Sequence, residues 1–276
     1  GFAGIAVAKR LEKRLDSTWE IYLLSEENYL TFNPLLPEVV GASILPGNVV
    51  APLRQMAKRT RFRMVKVTRV DPQSRTVYYE GRGSGTLHYD ELVLACGQAA
   101  NMDFIPGMAA IGLPLKTVGD ALFMRNRLGS RLEQATIEPD PKTRDWLTTF
   151  IVVGGGFSGV EVAGELADFL YSSVRYYKNV LKKNCRVIVL HNGDRLLPEL
   201  PSSLGKAAQR YFKKRDITVS LNVQVMAADE QGVTLSDGTR VDGGTVVCAV
   251  GTAPQGFAQT LELPKERGRI VTNPDF

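Results

Sequence analysis

Six residues near the middle of the chain have the spacing needed to hold a phosphate chain: Gly154, Gly155, Gly156, Phe157, Ser158 and Gly159. They follow the apolar run 148–153 and open a segment of helical periodicity. In such a GxGxxG phrase the first glycine permits a sharp turn. Gly156 removes the side chain that would separate backbone from pyrophosphate, and Gly159 lets helix and strand pack closely. The helix start then offers free N–H groups and a positive dipole end to the phosphates. A lone GxGxxG is a weak signal. The strand before it, the long helix after it and the second apolar run at 186–191 strengthen it.

The same phrase occurs again at the start of the chain. "GFAGIAVAKRL" matches "GFSGVEVAGEL" at Gly1/Gly156, Phe2/Phe157, Gly4/Gly159, Val7/Val162, Ala8/Ala163 and Leu11/Leu166. By that register Gly1 is the middle glycine of a second GxGxxG whose first glycine and preceding strand are missing. The next apolar run ends at Ser25, Glu26 and Glu27, about 20 residues after Gly4, where a ribose-binding carboxylate is expected.

Positioning two such turns requires strands that end at them. Short, nearly continuous apolar runs at 19–25, 91–97, 148–156, 185–192 and 244–251 suit parallel strands covered on both faces. Helical periodicity covers 2–15, 118–135, 157–181 and 202–214. Alternating segments at 61–71, 75–80, 86–90, 217–229 and 232–242 predict antiparallel meanders, with turns at Gly81 to Gly85 and at Asp237-Gly238. The order helix, strand, meander, closing strand occurs twice. The fold class is therefore α/β, with two Rossmann-like dinucleotide-binding domains, each a parallel sheet with a small antiparallel meander. The expected division is 1–117, 118–252 with a Pro- and charge-rich linker at 135–147, and a return segment 253–276.

Composition narrows the class further. At 44% hydrophobic and 23% charged residues the chain is neither disordered nor fibrous. The net charge of +5 is too small to imply nucleic acid as a partner. Basic stretches at 54–69 and 175–186 read as solvated faces of half-buried elements, with an anionic membrane surface as the second reading. No apolar run approaches the roughly 18 residues of a membrane span. Three cysteines, Cys96, Cys185 and Cys248, lie far apart, which suits reduced thiols. No metal-ligand spacing occurs.

Two dinucleotide motifs, with "YDELVLACG" closing the first, resemble the two-dinucleotide-binding-domain flavoproteins. The phrases "ENYLTFNPLLPEVVGASI", "GGGFSGVEVAGELADF" and "GDRLLPEL" narrow the resemblance to type II NADH dehydrogenases, over essentially the whole chain. The resemblance implies FAD on the first motif and NADH, with NADPH as a second coenzyme, on the second. It implies hydride transfer to flavin and onward to a quinone without proton pumping. It also implies a cytoplasmic location, peripheral to the inner face of a membrane, and leaves room for a homodimer. By residue, it places Gly1, Phe2, Ala3 and Gly4 at the FAD pyrophosphate, Ser25 and Glu26 at its ribose and Val67 at its adenine. Cys96 and Gly97 match a turn that touches FAD, and Pro34, Leu35 and Leu36 match the segment beside the flavin. Gly154, Gly156, Phe157, Ser158 and Gly159 match the NADH pyrophosphate loop, and Val250 and Gly251 close that domain near the nicotinamide.

Glu161 matches a carboxylate near nicotinamide and flavin. It is the candidate catalytic residue, against the plainer reading of a carboxylate favourably placed at a helix start. His191 stands where the family has an acidic ribose ligand, with Arg195 nearby, so weaker discrimination against NADPH is expected. "NYLTFNPLLPEV" carries no cysteine, which makes a thiol relay improbable and a quinone the leading acceptor. Two alternatives stay open: a soluble NAD(P)H-dependent reductase of a ferredoxin-like protein, and a nucleotide-binding regulatory protein with the same fold.

Overall fold

A computed structural model describes residues 1–266 and 268–274. Within the expected return segment, Arg267, Asp275 and Phe276 lie outside the described residues. Residue contacts gather the chain into two compact units, one of Gly1–Thr31, Val50–Ala99 and Thr252–Phe276, the other of Phe32–Val49 and Ala100–Gly251.

In the first unit, helix α1 (Phe2–Arg14) starts at Gly1 and buries Ile5 and Ala8. These pack with Leu53, Ala57 and Phe62, each such apolar side chain contributing about 1.5–3 kcal/mol when fully buried. Strand β1 (Tyr22–Ser25) runs parallel to β2 (Arg61–Met64), with Tyr22 opposite Arg61 and Ser25 opposite Met64. Strands β3 (Lys66–Asp71), β4 (Thr76–Glu80) and β5 (Ser84–His88) form an antiparallel meander. Its Val70 and Val77 pack on Leu261 in a separate small core.

Arginines of the basic stretch are engaged by neighbouring carbonyls and rings. The Arg59 guanidinium donates to the carbonyls of Glu12, Leu15 and Asp16 at 3.2, 2.6 and 2.8 Å. It thereby satisfies acceptors around the end of α1 and opposes the negative end of its dipole. Arg54, Arg63 and Arg69 lie over the rings of Phe62, Tyr22 and Tyr78 at 5.0, 4.8 and 4.0 Å.

The strand expected at 91–97 does not form. Residues 92–97 carry no regular structure, and Leu92, Val93 and Leu94 are exposed. An apolar run becomes a strand only when a neighbour accepts its backbone hydrogen bonds. Among the described residues of this unit β1 pairs with β2 alone, so the sheet stops at two parallel strands. The alternation at 61–64, read as part of the meander, belongs to that parallel pair instead.

The second unit holds a five-stranded, all-parallel sheet in the order β9, β8, β7, β13, β6. These are Gly112–Leu113 (β6), Thr149–Val153 (β7), Arg186–Leu190 (β8), Ile217–Ser220 (β9) and Thr245–Cys248 (β13). Central β7 is buried at every position, as a strand flanked on both sides and covered on both faces must be. A meander of β10 (Val225–Asp229), β11 (Gly232–Leu235) and β12 (Arg240–Asp242) lies between β9 and β13 in sequence. Its turn uses Gly238 at φ +81°, with the Asp237 carboxylate accepting from the Thr239 N–H at 2.8 Å. The 217–220 segment joins the sheet rather than this meander. As an edge strand it is only half covered, so its pattern imitates that of a hairpin.

This unit also holds α2 (Leu36–Val40), α3 (Val118–Ile137), α4 (Phe157–Ser173) and α5 (Ser202–Lys214), of which α4 packs on β7 and β8 and α5 on β9. α4 buries Gly159, Val162, Ala163, Leu166, Ala167 and Leu170, one stripe at 3.6-residue spacing. It ends eight residues short of the expected 181, where the Ser172 hydroxyl donates back to the Phe169 carbonyl at 3.1 Å and a single 3-10 turn follows. α2 packs against α3 and α4 with Leu36, Val39 and Val40 almost wholly buried.

Residues 135–147 are not an open linker. α3 continues to Ile137, and a further helix, Pro141–Leu147, is capped by Asp140, whose carboxylate accepts from the Thr143 N–H at 2.9 Å and its hydroxyl at 2.7 Å. Asp at the cap followed by Pro is a helix start as much as a loop signal. Asp140→Ala is expected to cost about 1 kcal/mol in urea unfolding; an unchanged midpoint would show that the cap contributes nothing.

Candidate active site

The two glycine phrases sit at the two long-helix starts that sequence spacing predicts. In the second unit β7 ends at Val153, and Gly154 turns the chain at φ +116°, a conformation that a residue with a Cβ adopts only under strain. A Cβ on Gly154 would also stand 2.7 Å from the Ala249 carbonyl oxygen. Gly159, one turn into α4, rests directly on the end of the strand. A Cβ there would overlap the Gly154 carbonyl oxygen. Gly156, the N-cap, is open: the nearest atom to a Cβ would be a Glu199 carboxylate oxygen at 3.8 Å. No side chain caps α4, no acidic residue occupies its first turn, and Phe157 and Ser158 are exposed at its start. An uncapped helix N-terminus with a bare glycine in front of it fits a pyrophosphate group.

Gly155 is held by both of its peptide groups. Its N–H donates to His191 Nδ1 at 3.1 Å, and its carbonyl accepts from the Leu197 N–H at 2.8 Å. His191 follows β8, where a ribose ligand is expected from sequence, yet its imidazole lies against the glycine turn. Nδ1 is engaged, and Nε2 is shielded from solvent with no hydrogen-bond partner. Arg195 donates to the Pro198 carbonyl at 2.9 Å. Glu199 was not among the residues singled out by sequence spacing; its only signal there is a carboxylate in the phrase "GDRLLPEL". Val250 lies beside Gly154, its Cγ1 2.9 Å from where a Cβ would stand, and Gly251 turns at φ +69° against Asn101.

Glu161 is exposed in the second turn of α4, and partial desolvation, with the neighbouring Glu38 carboxylate, raises its pKa from the ordinary carboxyl value. Glu165, one turn on, is raised by desolvation and by Glu38, against the lowering effects of its Ser43 hydrogen bond and of Arg215. The Ser43 hydroxyl donates to Glu165 at 3.0 Å, and the carboxylate fills the space above Gly41 that a side chain there would need. Glu38 Oε2 is shielded and unpartnered. Leu36 is buried at the start of α2, while Pro34 and Leu35 form the 3-10 turn before it. The segment carrying Pro34, Leu35 and Leu36 and the helix carrying Glu161 therefore belong to one compact unit.

In the first unit Gly1 caps α1 with nothing within 4 Å of a Cβ, and Phe2 and Ala3 are exposed beyond it. Gly4 packs on β1 and on the closing segment: a Cβ would meet Leu23 and Ala95 at 3.6 and 3.5 Å. Ser25 ends β1, followed by exposed Glu26. Val67 and Leu24 are both packed against the small core of Val70, Val77 and Leu261. Cys96 is an exposed free thiol, and Gly97 turns at φ +66°.

Comparison with known proteins gives the family. The sequence model of a family described as pyridine nucleotide-disulphide oxidoreductase matches residues 1–276. The type II NADH:quinone oxidoreductase NdhA of Mycobacterium tuberculosis is 30% identical over 291 residues, covering 100% of this chain and 61% of that protein. The external NADH-ubiquinone oxidoreductase 2 of Saccharomyces cerevisiae mitochondria is 30% identical over 286 residues, covering 98% and 52%. NDH2 from Plasmodium falciparum, solved in complex with NADH, superposes with a TM-score of 0.81 at 24% identity, covering 87% of this chain and 52% of that one. The chain thus spans about half to three-fifths of the length of the curated relatives it matches.

The two glycines of the second turn carry opposite expectations. Gly159→Ala forces α4 away from β7 and is expected to cost about 1–3 kcal/mol in chemical unfolding. Gly156→Ala adds a methyl group to open space and is expected to stay within about 0.5 kcal/mol of the parent. Equal losses for both would remove the close-packing argument.

Proposed function

Since the chain belongs to the pyridine nucleotide-disulphide oxidoreductase family, we propose that the protein is an FAD-dependent, non-proton-pumping NADH:quinone oxidoreductase. The observation that carries this is the uncapped start of α4 at Gly156, a bare glycine with open space before it, whose phrase the sequence repeats at Gly1 to Gly4. Two such starts in one chain suit two dinucleotides. FAD is assigned to the first unit, with Gly1, Phe2, Ala3 and Gly4 at its pyrophosphate, Ser25 and Glu26 at its ribose, Val67 at the adenine and Cys96 with Gly97 at the closing turn. NADH is assigned to the second unit, with NADPH as a second coenzyme.

Bound together, the two groups supply hydride transfer from the nicotinamide to the flavin and delivery of the electron pair to a quinone. The chain's part is to bind and orient. Gly154, Gly156 and Gly159 let backbone N–H groups at the start of α4 reach a pyrophosphate, with Phe157 and Ser158 at the same helix end. Val250 and Gly251 stand beside that turn. Pro34, Leu35 and Leu36 are assigned to the flavin side, on a segment fastened to α4 through Ser43 and Glu165. Glu161 is assigned to holding and delivering a proton. A raised pKa is what a group exchanging protons near neutral pH needs, and a second carboxylate, Glu38, supplies part of that rise.

A cysteine pair beside the flavin segment would favour disulfide chemistry, but residues 27–44 contain none. That supports a quinone acceptor. Contact with the inner face of a membrane, in the cytoplasm, is proposed as peripheral. None of the described helices is long and apolar enough to cross a bilayer.

Sustained NADH oxidation with a short-chain quinone is expected in steady state; failure to turn over would leave a nucleotide-binding regulatory protein. Glu161→Gln is expected to lower quinone turnover at least about tenfold with the unfolding midpoint unchanged. If stopped-flow traces show both flavin reduction and quinone turnover unaltered, Glu161 has no catalytic role.

A further inference from the structure

His191 stands where a ribose ligand is expected, but its surroundings suit another task. Its ring occupies a slot between two glycines. A Cβ on Gly155 would lie 2.8 Å from the imidazole Cγ, and one on Gly193 would lie 2.8 Å from Nε2. On one side Nδ1 accepts from the Gly155 N–H at 3.1 Å. The Leu197 N–H closes the other side of the same residue by donating to the Gly155 carbonyl at 2.8 Å. The His191 backbone is itself fixed, its N–H donating to the Ser220 carbonyl at 2.9 Å and its carbonyl accepting from the Val223 N–H at 3.0 Å. The middle residue of the GxGxxG turn is thus clamped to a rigid segment running from 191 to 197.

We propose that His191 is a positioning residue for the bound dinucleotide, holding the Gly154–Gly156 turn in its binding shape through the Gly155 N–H instead of contacting the ribose. This rests on the reading of the second unit as the NADH site. The chemistry of the ring supports it. Nδ1 accepts only when unprotonated, so the neutral ring carries its proton on Nε2. Protonation at Nδ1 would set an N–H donor against the Gly155 N–H, and the clamp would open.

The charged groups that face the ring are the carboxylates of Glu199 and Asp194. With the Arg195 backbone they favour the charged ring, while desolvation acts against it more strongly and leaves the pKa below its ordinary value. The neutral, clamped form therefore persists to lower pH than that of an ordinary histidine. It is lost only when pH falls through the lower, folded-state value.

Three forms of the full chain test this: the parent, His191→Asn and His191→Phe. Asparagine can place its side-chain oxygen near the Nδ1 position without titrating; phenylalanine keeps the ring shape and removes the acceptor. Hydrogen exchange at the Gly155 amide, read without nucleotide, reports the clamp, and the NADH dissociation constant between pH 5 and 8 reports its consequence. In the parent, amide protection and NADH affinity are expected to fall together on the acid side. In His191→Phe the amide exchanges fast and NADH binds about three- to tenfold more weakly at pH 8. In His191→Asn affinity returns toward the parent value and loses the acid limb.

Unchanged Gly155 exchange in His191→Phe would overturn the clamp whatever the nucleotide does. Fast exchange with unchanged NADH binding would overturn the positioning role and place the nucleotide elsewhere. His191→Asn serves if the phenylalanine variant fails to fold: an acid limb retained in it would also overturn the proposal.

Discussion

One steric fact orders the second unit. The Gly154 carbonyl oxygen at the end of β7 occupies the space that a side chain on Gly159 would fill. Because that space is empty, α4 can lie directly on the end of the central strand, and its N-terminus reaches the point where the strand stops. The stripe Val162, Ala163, Leu166, Ala167 and Leu170 then falls onto the sheet and is fully covered. Moving the helix outward by one methyl group would loosen that packing and withdraw the free N–H groups from the turn together. Packing and binding geometry here share a single cause.

The first unit repeats the arrangement in a looser form. Gly4 corresponds to Gly159, but a Cβ there would meet only Leu23 and Ala95 at ordinary contact distances. The sheet beneath α1 has two paired parallel strands, where that beneath α4 has five. The Arg59 guanidinium also donates to the carbonyls at the far end of this helix. The repeat of "GFxG" is therefore a repeat of local geometry at the helix start, carried by unequal supports.

Much of this was legible in the residues, for reasons that can be stated. β7 and β8 are buried on both faces, so their apolar runs are uninterrupted and unmistakable. Glycines with a steric task leave a fixed spacing. Where sequence reading erred, the missing information was non-local. Residues 92–97 have a strand's composition, and only the partner decides whether a strand forms. Residues 217–220 and 61–64 alternate like hairpin strands, although their partners run parallel to them. Residues 138–147 look like a linker because Asp and Pro serve loops and helix starts alike. The direction of the His191 ring was equally hidden. Its placement depends on Gly193, two residues on, and on a glycine turn 36 positions earlier, neither of which the strand pattern reveals.

The acidic side of α4 shows how a binding turn and a proton-handling group can share one short helix without cancelling each other. A carboxylate in the first turn would sit close to incoming phosphates, yet Glu161 lies five residues beyond the N-cap and near Glu38 of α2. Burial and the nearby Glu38 carboxylate both disfavour the charged form of Glu161 and raise its pKa. Glu165 adds mechanical restraint, its carboxylate filling the space over Gly41 and receiving the Ser43 hydroxyl. A helix that begins as an anion-binding turn can therefore carry acidic groups a turn later, where burial and a carboxylate from a neighbouring helix raise their pKa.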